Sequence, residues 1–201
     1  MEELIIQPGA QKPQTVWQSY VPIITQGRHT DVYLTDAIEA PAEYNELCHR
    51  LATAYKGDTF TLYINNGGGY VDSAWLIIDA IRNTKAKVHA HLSGTVASVA
   101  TIITMACHSV YVAPYINFMI HNYSGGASGK GHEMRAQVNF TDAQLNIAFA
   151  EIYNGFLTPH EMELVIAGKD LWMGKVEVEK RLAARKSNDI EALEAIEAAN
   201  K

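Results

Sequence analysis

The sequence predicts an α/β fold built on a mostly parallel sheet, and three observations lead to it. Strand-like and helix-like segments alternate through the middle of the chain, which calls for crossover connections between parallel strands. The length of 201 residues and a hydrophobic content of 48% suit one compact domain, or one domain with an appendage, with a real core. Twice, a strand gives way to a helix through very small residues, in "NNGGG" at 65–69 and in "SGTVAS" at 93–98.

The elements follow in order. Residues 1–30 are irregular, with Pro8, Gly9, Pro13, Pro22 and Gly27, and read as an arm or loop holding a short extended piece near Val21–Ile24. "DVYLT" (31–35) is a strand. Pro41 to Tyr55 is a helix: Leu47, Leu51 and Ala54 fall at helical spacing and Pro41 suits a first helical position. "TFTLYIN" (59–65) alternates and is rich in aromatic and β-branched residues, hence a strand, which glycines 67–69 are expected to break. A helix over about 72–83 places Trp75, Ile78 and Ile81 on one face. "AKVHAHL" (86–92) is the next strand, and an apolar helix follows Ser98. "HSVYVAP" (108–114) and "INFMIHN" (116–122) read as two short strands. Residues 132–153 form one long helix, with a break near Thr141 as the alternative. "TPHE" (158–161) opens another: Thr158 caps it, Pro159 takes the first turn and Glu161 completes a capping box. The last 27 residues carry 12 charges, six of each sign, and read as a solvated helical tail.

Composition removes several function classes. Net charge is −6 without a dense basic patch, so nucleic acid is a poor partner. Two cysteines, Cys48 and Cys107, lie in no motif and fit reduced thiols in a cytoplasmic protein, a single disulfide being the alternative. "MEELIIQPGAQKPQ" is not a signal peptide, and no apolar stretch approaches the roughly 20 residues of a membrane span. "NYS" (122–124) and "NFT" (139–141) match the glycosylation pattern, which has no meaning without secretion.

Taken singly, the candidate site residues each have a plain structural explanation. Ser98 reads as a helix cap or a small packing residue, or as a nucleophile at a helix start. The glycine run 67–69 makes a turn or presents backbone N–H groups to an anion; without G-x-G-x-x-G spacing or a P-loop lysine, a nucleotide site does not follow. His121 ends a strand. His89 and His91 share a strand face, but no third metal ligand is evident. Asp170, in "AGKDLWMG", is a cap or a group that orients an imidazole.

The pieces gain meaning together. "INNGGGYVDSAWLIIDAI", "GTVASVA", "MIHNYSGG" and "KDLWMG" resemble, in order and approximate spacing, the proteolytic subunit of the Clp protease. That family typically shows Asn-Ser-Pro-Gly-Gly after a strand, then Gly-Gln-Ala-Ala-Ser-Met, Met-Ile-His-Gln-Pro, and a late Asp. The resemblance covers roughly residues 31–180. It implies a ClpP/crotonase-like fold of repeated β-β-α units with a protruding handle helix. The domains would then be an arm over 1–30, a peptidase domain over 31–181 with its handle at about 126–160, and a tail over 182–201. It also implies a serine-type endopeptidase in which Ser98 is the nucleophile, His121 the general base and Asp170 the group that fixes the imidazole tautomer. The backbone N–H groups of Gly69 and Val99 would form the oxyanion hole. Tyr70, Val71, Tyr123, Ser124 and Gly125 would flank an extended polypeptide substrate bound as an added strand. Heptameric rings stacked as a tetradecamer are implied, with no cofactor and no metal. The roles are chemically coherent: a serine hydroxyl needs a base, the base needs an orienting acceptor, and the tetrahedral oxyanion needs two aimed donors.

There are departures. Asn66 and Gly67 stand where the family usually has Ser and Pro, and Thr95 and Val99 where it has Gln and Met. None removes a catalytic group, because Gly69 and Val99 act through backbone. The segment between the Val-Pro-Ile at 21–23 and the first core strand is shortened, which argues against docking of an ATP-driven AAA+ unfoldase. The divergence suggests a distant branch, such as a phage-encoded version. Competing readings are a catalytically inactive ring subunit, a crotonase-fold acyl-CoA enzyme, and a Ser–Lys dyad using Lys130 or Lys175.

Overall fold

Residues 21–186 are described by the computed structural model. Six strands form one sheet in chain order: β1 (Ile23–Gln26), β2 (His29–Ile38), β3 (Thr59–Gly69), β4 (Lys87–Ala97), β5 (Ser109–Ile120) and β6 (Leu171–Met173). β2 to β5 run parallel, and β1 and β6 close the two edges antiparallel. The helices are α1 (Asn45–Thr53), α2 (Val71–Asn83), α3 (Val99–Ala106), α4 (Gly131–Ile152), α5 (Pro159–Ile166) and α6 (175–186). The expected α/β fold is present, mixed at its edges and parallel at its centre.

Burial alternates along the strands and decides which face carries helices. Val32 and Leu34 of β2, Leu62 and Ile64 of β3, and Val88, Ala90 and Leu92 of β4 are all buried. The apolar sides of α1 (Leu47, Leu51), α2 (Ala74, Ile77, Ile81) and α3 (Ala100, Ile103) join them in one core. The opposite face carries a ladder of rings across four strands. Tyr33 stacks on Tyr63 at 4.9 Å, Tyr63 meets His91 at 5.1 Å, and His91 meets Tyr111 at 4.7 Å. His89 shares this face and bonds through Nδ1 to Ser109 Oγ at 2.6 Å. The two histidines of "HAH" are thus engaged with neighbours, and no cluster of three metal-ligating side chains exists among the described residues.

Several elements differ from their sequence expectations. The segment expected as two strands at 108–122 is one strand with a bulge. β4 and β5 pair as Leu92 with Val112 and then Gly94 with Ile116, so β5 absorbs two extra residues. Pro114 lies inside that bulge, where its missing N–H breaks no ladder bond. The glycines do not end β3 at 65; the strand runs on to Gly69 because Gly69 pairs with Ile38. The helix expected over 41–55 begins as a 3-10 turn at Pro41–Tyr44 and becomes α-helical at Asn45. α4 is continuous through Thr141. α5 has the expected cap: Thr158 Oγ1 accepts from the Glu161 N–H at 3.2 Å, and Glu161 returns a bond to the Thr158 N–H at 2.9 Å. Most of the arm at 1–30 and most of the tail at 182–201 lie outside the described residues. Among the described residues, no helix is long and apolar enough to cross a membrane.

Candidate active site

β4 passes into α3 through a single residue, Ser98. Its φ of 56° and ψ of −130° put a non-glycine residue in the left-handed half of backbone space. Such a conformation costs on the order of 1–3 kcal/mol and persists only where surroundings impose it. Here they do. The Ser98 N–H donates to Met119 O of β5 at 2.9 Å. Ser98 O accepts from the Thr101 N–H at 2.9 Å and from Thr101 Oγ1 at 2.6 Å. Thr101 Oγ1 also meets the Tyr153 hydroxyl at 2.6 Å, at the end of α4, where burial raises the phenol's pKa. The Ser98 hydroxyl itself makes no capping bond to α3. Capping does not explain this serine; a strained strand-to-helix turn that presents a hydroxyl does.

The glycine turn at the end of β3 lies against that hydroxyl. A Cβ on Gly68 would sit 2.5 Å from Ser98 Cβ and 3.0 Å from its Oγ, so only glycine admits this approach. A Cβ on Gly69 would sit 2.0 Å from Ile38 O. The N–H groups flanking Gly69 are committed: Gly68 N–H to Asn66 Oδ1 at 2.8 Å, and Tyr70 N–H to Ile38 O at 2.8 Å. The Gly69 amide lies between them, beyond Asn66–Val96, the last pair of β3 with β4. Val99 opens α3, where N–H groups lack intrahelical partners.

His121 directly follows β5, two residues beyond the Met119 that holds the Ser98 amide. The β5–β6 register places Phe118 opposite Met173, Met119 opposite Trp172 and Ile120 opposite Leu171. His121 and Asp170 are the next residues beyond the last pair, Ile120 with Leu171. Asn122 Nδ2 donates to Ile166 O at 3.0 Å and ties the end of α5, just before the Asp170 turn, to the residue after His121. Ser98 follows β4, His121 follows β5 and Asp170 precedes β6, so the three stand at the ends of neighbouring strands. Asp170 is exposed and His121 half-buried. Among the described residues no hydrogen bond within 3.5 Å joins Ser98 Oγ to His121, or His121 to Asp170. Such bonds are often long before substrate arrives.

Of the residues expected beside substrate, Tyr70 is exposed, and Val71 packs on the core as the first residue of α2. Ser124 and Gly125 are exposed. Tyr123 donates its hydroxyl to Asp142 Oδ1 at 2.5 Å, bracing this segment on α4 and raising the phenol's pKa. The dyad lysines are engaged elsewhere: Lys175 Nζ donates to Val112 O at 2.6 Å, and Lys130 pairs with Glu133 at 3.6 Å. Burial pushes the thiols of Cys48 and Cys107 up to about 11 and about 12, so neither supplies a thiolate nucleophile. Sequence reasoning passed over Thr101 and Asn122. Both act through single backbone carbonyls and leave no spacing pattern.

The Clp protease family model matches residues 19–155. That span includes the glycine turn, Ser98 and His121, and ends before Asp170. "ATP-dependent Clp protease proteolytic subunit 2" of Pseudomonas aeruginosa is 30% identical over 125 residues, 60% of this chain and 61% of that protein. "ATP-dependent Clp protease proteolytic subunit 3" of Rhizobium meliloti is 28% identical over 139 residues, 66% of this chain and 70% of that protein. A Streptococcus suis "ATP-dependent Clp protease proteolytic subunit" is 37% identical over 70 residues, 34% of this chain and 36% of that protein.

Proposed function

The chain belongs to the Clp protease family, and from that premise we propose that it is a serine-type endopeptidase that cuts unfolded polypeptides into short peptides. The observation that carries the reading is Ser98: a strained residue whose hydroxyl makes no capping bond and against which a glycine turn is pressed. In the proposed reaction Ser98 Oγ attacks the scissile carbonyl while His121 takes its proton. The oxyanion is held by the N–H groups of Gly69 and Val99, and α3 contributes the positive end of its dipole. His121 then gives the proton to the leaving amine, and the acyl-enzyme remains on Ser98. Water, deprotonated by the same imidazole, releases the second product. Asp170 keeps the proton-bearing nitrogen of His121 turned away from Ser98. Substrate lies extended between the segments at 70–71 and 123–125, where main-chain pairing tolerates varied sequences.

The enzyme works in the cytoplasm as a self-assembled ring chamber, of two stacked heptamers by family resemblance, with no cofactor. Two observations support the assembly. α4 presents Phe140 and Ile147, seven residues apart on one side of the helix, at 67% and 65% exposure. Its far end is joined to the Ser98 turn through Tyr153 and Thr101. The second reading is an inactive ring subunit that shapes an active partner.

Labelling with a fluorophosphonate probe, read by intact mass and peptide mapping, separates the two. The peptidase reading expects stoichiometric label on Ser98, none on Ser98→Ala and slower labelling of Asp170→Asn. An unlabelled Ser98 in every assembly state leaves the inactive-subunit reading.

A further inference from the structure

We infer that Asn66 is a positioning residue for the oxyanion hole: its side-chain carbonyl fixes the turn that aims the Gly69 N–H. The inference deepens the peptidase reading and rests on it.

The turn is made of three consecutive glycines, the residue type that loses most freedom on ordering. Gly67 has open space on its side-chain face, with no atom within 4 Å of a built Cβ, so packing does not hold it. Gly68 and Gly69 occupy positive φ, 101° and 150°. An oxyanion hole is effective only when its donors are aimed before the charge develops. The Gly69–Ile38 pairing and the Tyr70 N–H bond to Ile38 O hold the far end of the turn; its Gly67–Gly68 end needs a restraint of its own. Asn66 is 1% exposed, and its Oδ1 accepts the Gly68 N–H two residues on, closing an Asx turn. The bond acts on the residue that touches Ser98 and immediately precedes Gly69.

The other end of the same amide strengthens the case. Asn66 Nδ2 is buried with no hydrogen-bond partner among the described residues. An orphaned buried donor costs about 1–3 kcal/mol, and a site that keeps one has a use for the rest of the group. The neighbouring asparagine does the matching work on the other loop. Asn65 Oδ1 accepts the Thr95 N–H at 3.0 Å and fills the space beside Gly94, ahead of Ser98. Strand alternation sends the two side chains to opposite faces of β3, so each fastens one of the two backbones that converge on the nucleophile. A proline ring at position 67 would stiffen this turn through the chain; here a side-chain hydrogen bond does so.

The test uses the full-length protein with a fluorogenic peptide, the fluorophosphonate probe, and amide exchange of the 66–70 segment. Asn66→Ala is expected to lower kcat by roughly 10- to 100-fold, less than the loss of a whole donor. Its KM should stay within about twofold, since ground-state pairing of substrate is untouched, and its exchange should quicken. Asn66→Ser, whose hydroxyl also accepts the Gly68 N–H, keeps kcat within a few fold of wild type. Adding Gly67→Ala to Asn66→Ala restores part of kcat, because the methyl fits the open space and narrows the turn's choices. If Asn66→Ala does not fold, Asn66→Cys carries the same expectation, filling the volume while offering only a weak acceptor. An active wild type beside an unimpaired Asn66→Ala, or a change confined to KM, overturns this inference alone. A wild type that neither labels nor turns over overturns the peptidase reading and this inference with it.

Discussion

Ser98 concentrates strain in one residue, and its variants should separate conformational cost from chemistry. Glycine adopts this backbone without penalty, so Ser98→Gly regains about 1–3 kcal/mol of strain and gives back roughly 0.5–1 kcal/mol in chain entropy. Ser98→Ala regains none. Denaturant midpoints should therefore place Ser98→Gly about 1 kcal/mol above Ser98→Ala, with both unlabelled by the probe; equal midpoints would remove the strain argument. The glycines divide differently. At Gly69 the obstacle is the backbone carbonyl of Ile38, which cannot swing away, so Gly69→Ala should visibly lower the melting temperature. At Gly68 the obstacles are Ser98 Cβ at 2.5 Å, which is fixed to its own backbone, and Ala97 O at 3.1 Å. Gly68→Ala should lower the melting temperature too, and in addition abolish labelling at Ser98. At this scale the sequence drew attention to Ser98 through its small neighbours, while His121 took on a role only through the family resemblance. Asn66 read only as a substitution, because a turn-closing hydrogen bond belongs to no motif beyond an asparagine ahead of glycines.

Among the elements, α5 and α6 carry the most pH-sensitive contact. Arg181 donates to both carboxylate oxygens of Glu161 at 2.7 and 2.8 Å and to Glu177 at 2.6 Å. The guanidinium, with help from the Thr158 cap, holds the Glu161 carboxyl down to about 2. Because the folded value is depressed, the stability it gives is fully present above the ordinary carboxylate range. It fades as pH falls from about 4.5 towards about 2. Chemical denaturation across that window should show wild type losing on the order of 1–2 kcal/mol more than Glu161→Gln. Parallel curves would remove the pairing from the acid response. The capping box of α5 was readable because its signature is local. The fused β5 was not: a proline between two apolar runs looks like a break, and only the two-residue slip against β4 shows that it sits in a bulge. The long α4 was read with an optional break at Thr141 because its apolar residues follow no single stripe, and Phe140 and Ile147 face outward.

For the whole molecule, strand–helix alternation alone fixed the parallel centre of the sheet, but not its antiparallel edge strands. Asp170, which lies just before the edge strand β6, was singled out only through family resemblance. The outward apolar side of α4 carries a prediction of its own. Mass photometry at micromolar concentration should find assemblies far larger than 22.2 kDa. Phe140→Glu with Ile147→Glu should shift them towards smaller rings or single chains while monomer melting barely changes; only monomers in the wild type would sink the chamber. One consequence lies in β6. It is three residues long and touches the sheet along β5 alone, so it belongs to the part of the structure that opens at low free energy, well before the core unfolds. Asp170, the proposed triad acid, directly precedes this strand and would come and go with it. Warming should therefore silence the enzyme reversibly several degrees below the temperature at which its helices melt, with cooling restoring full turnover.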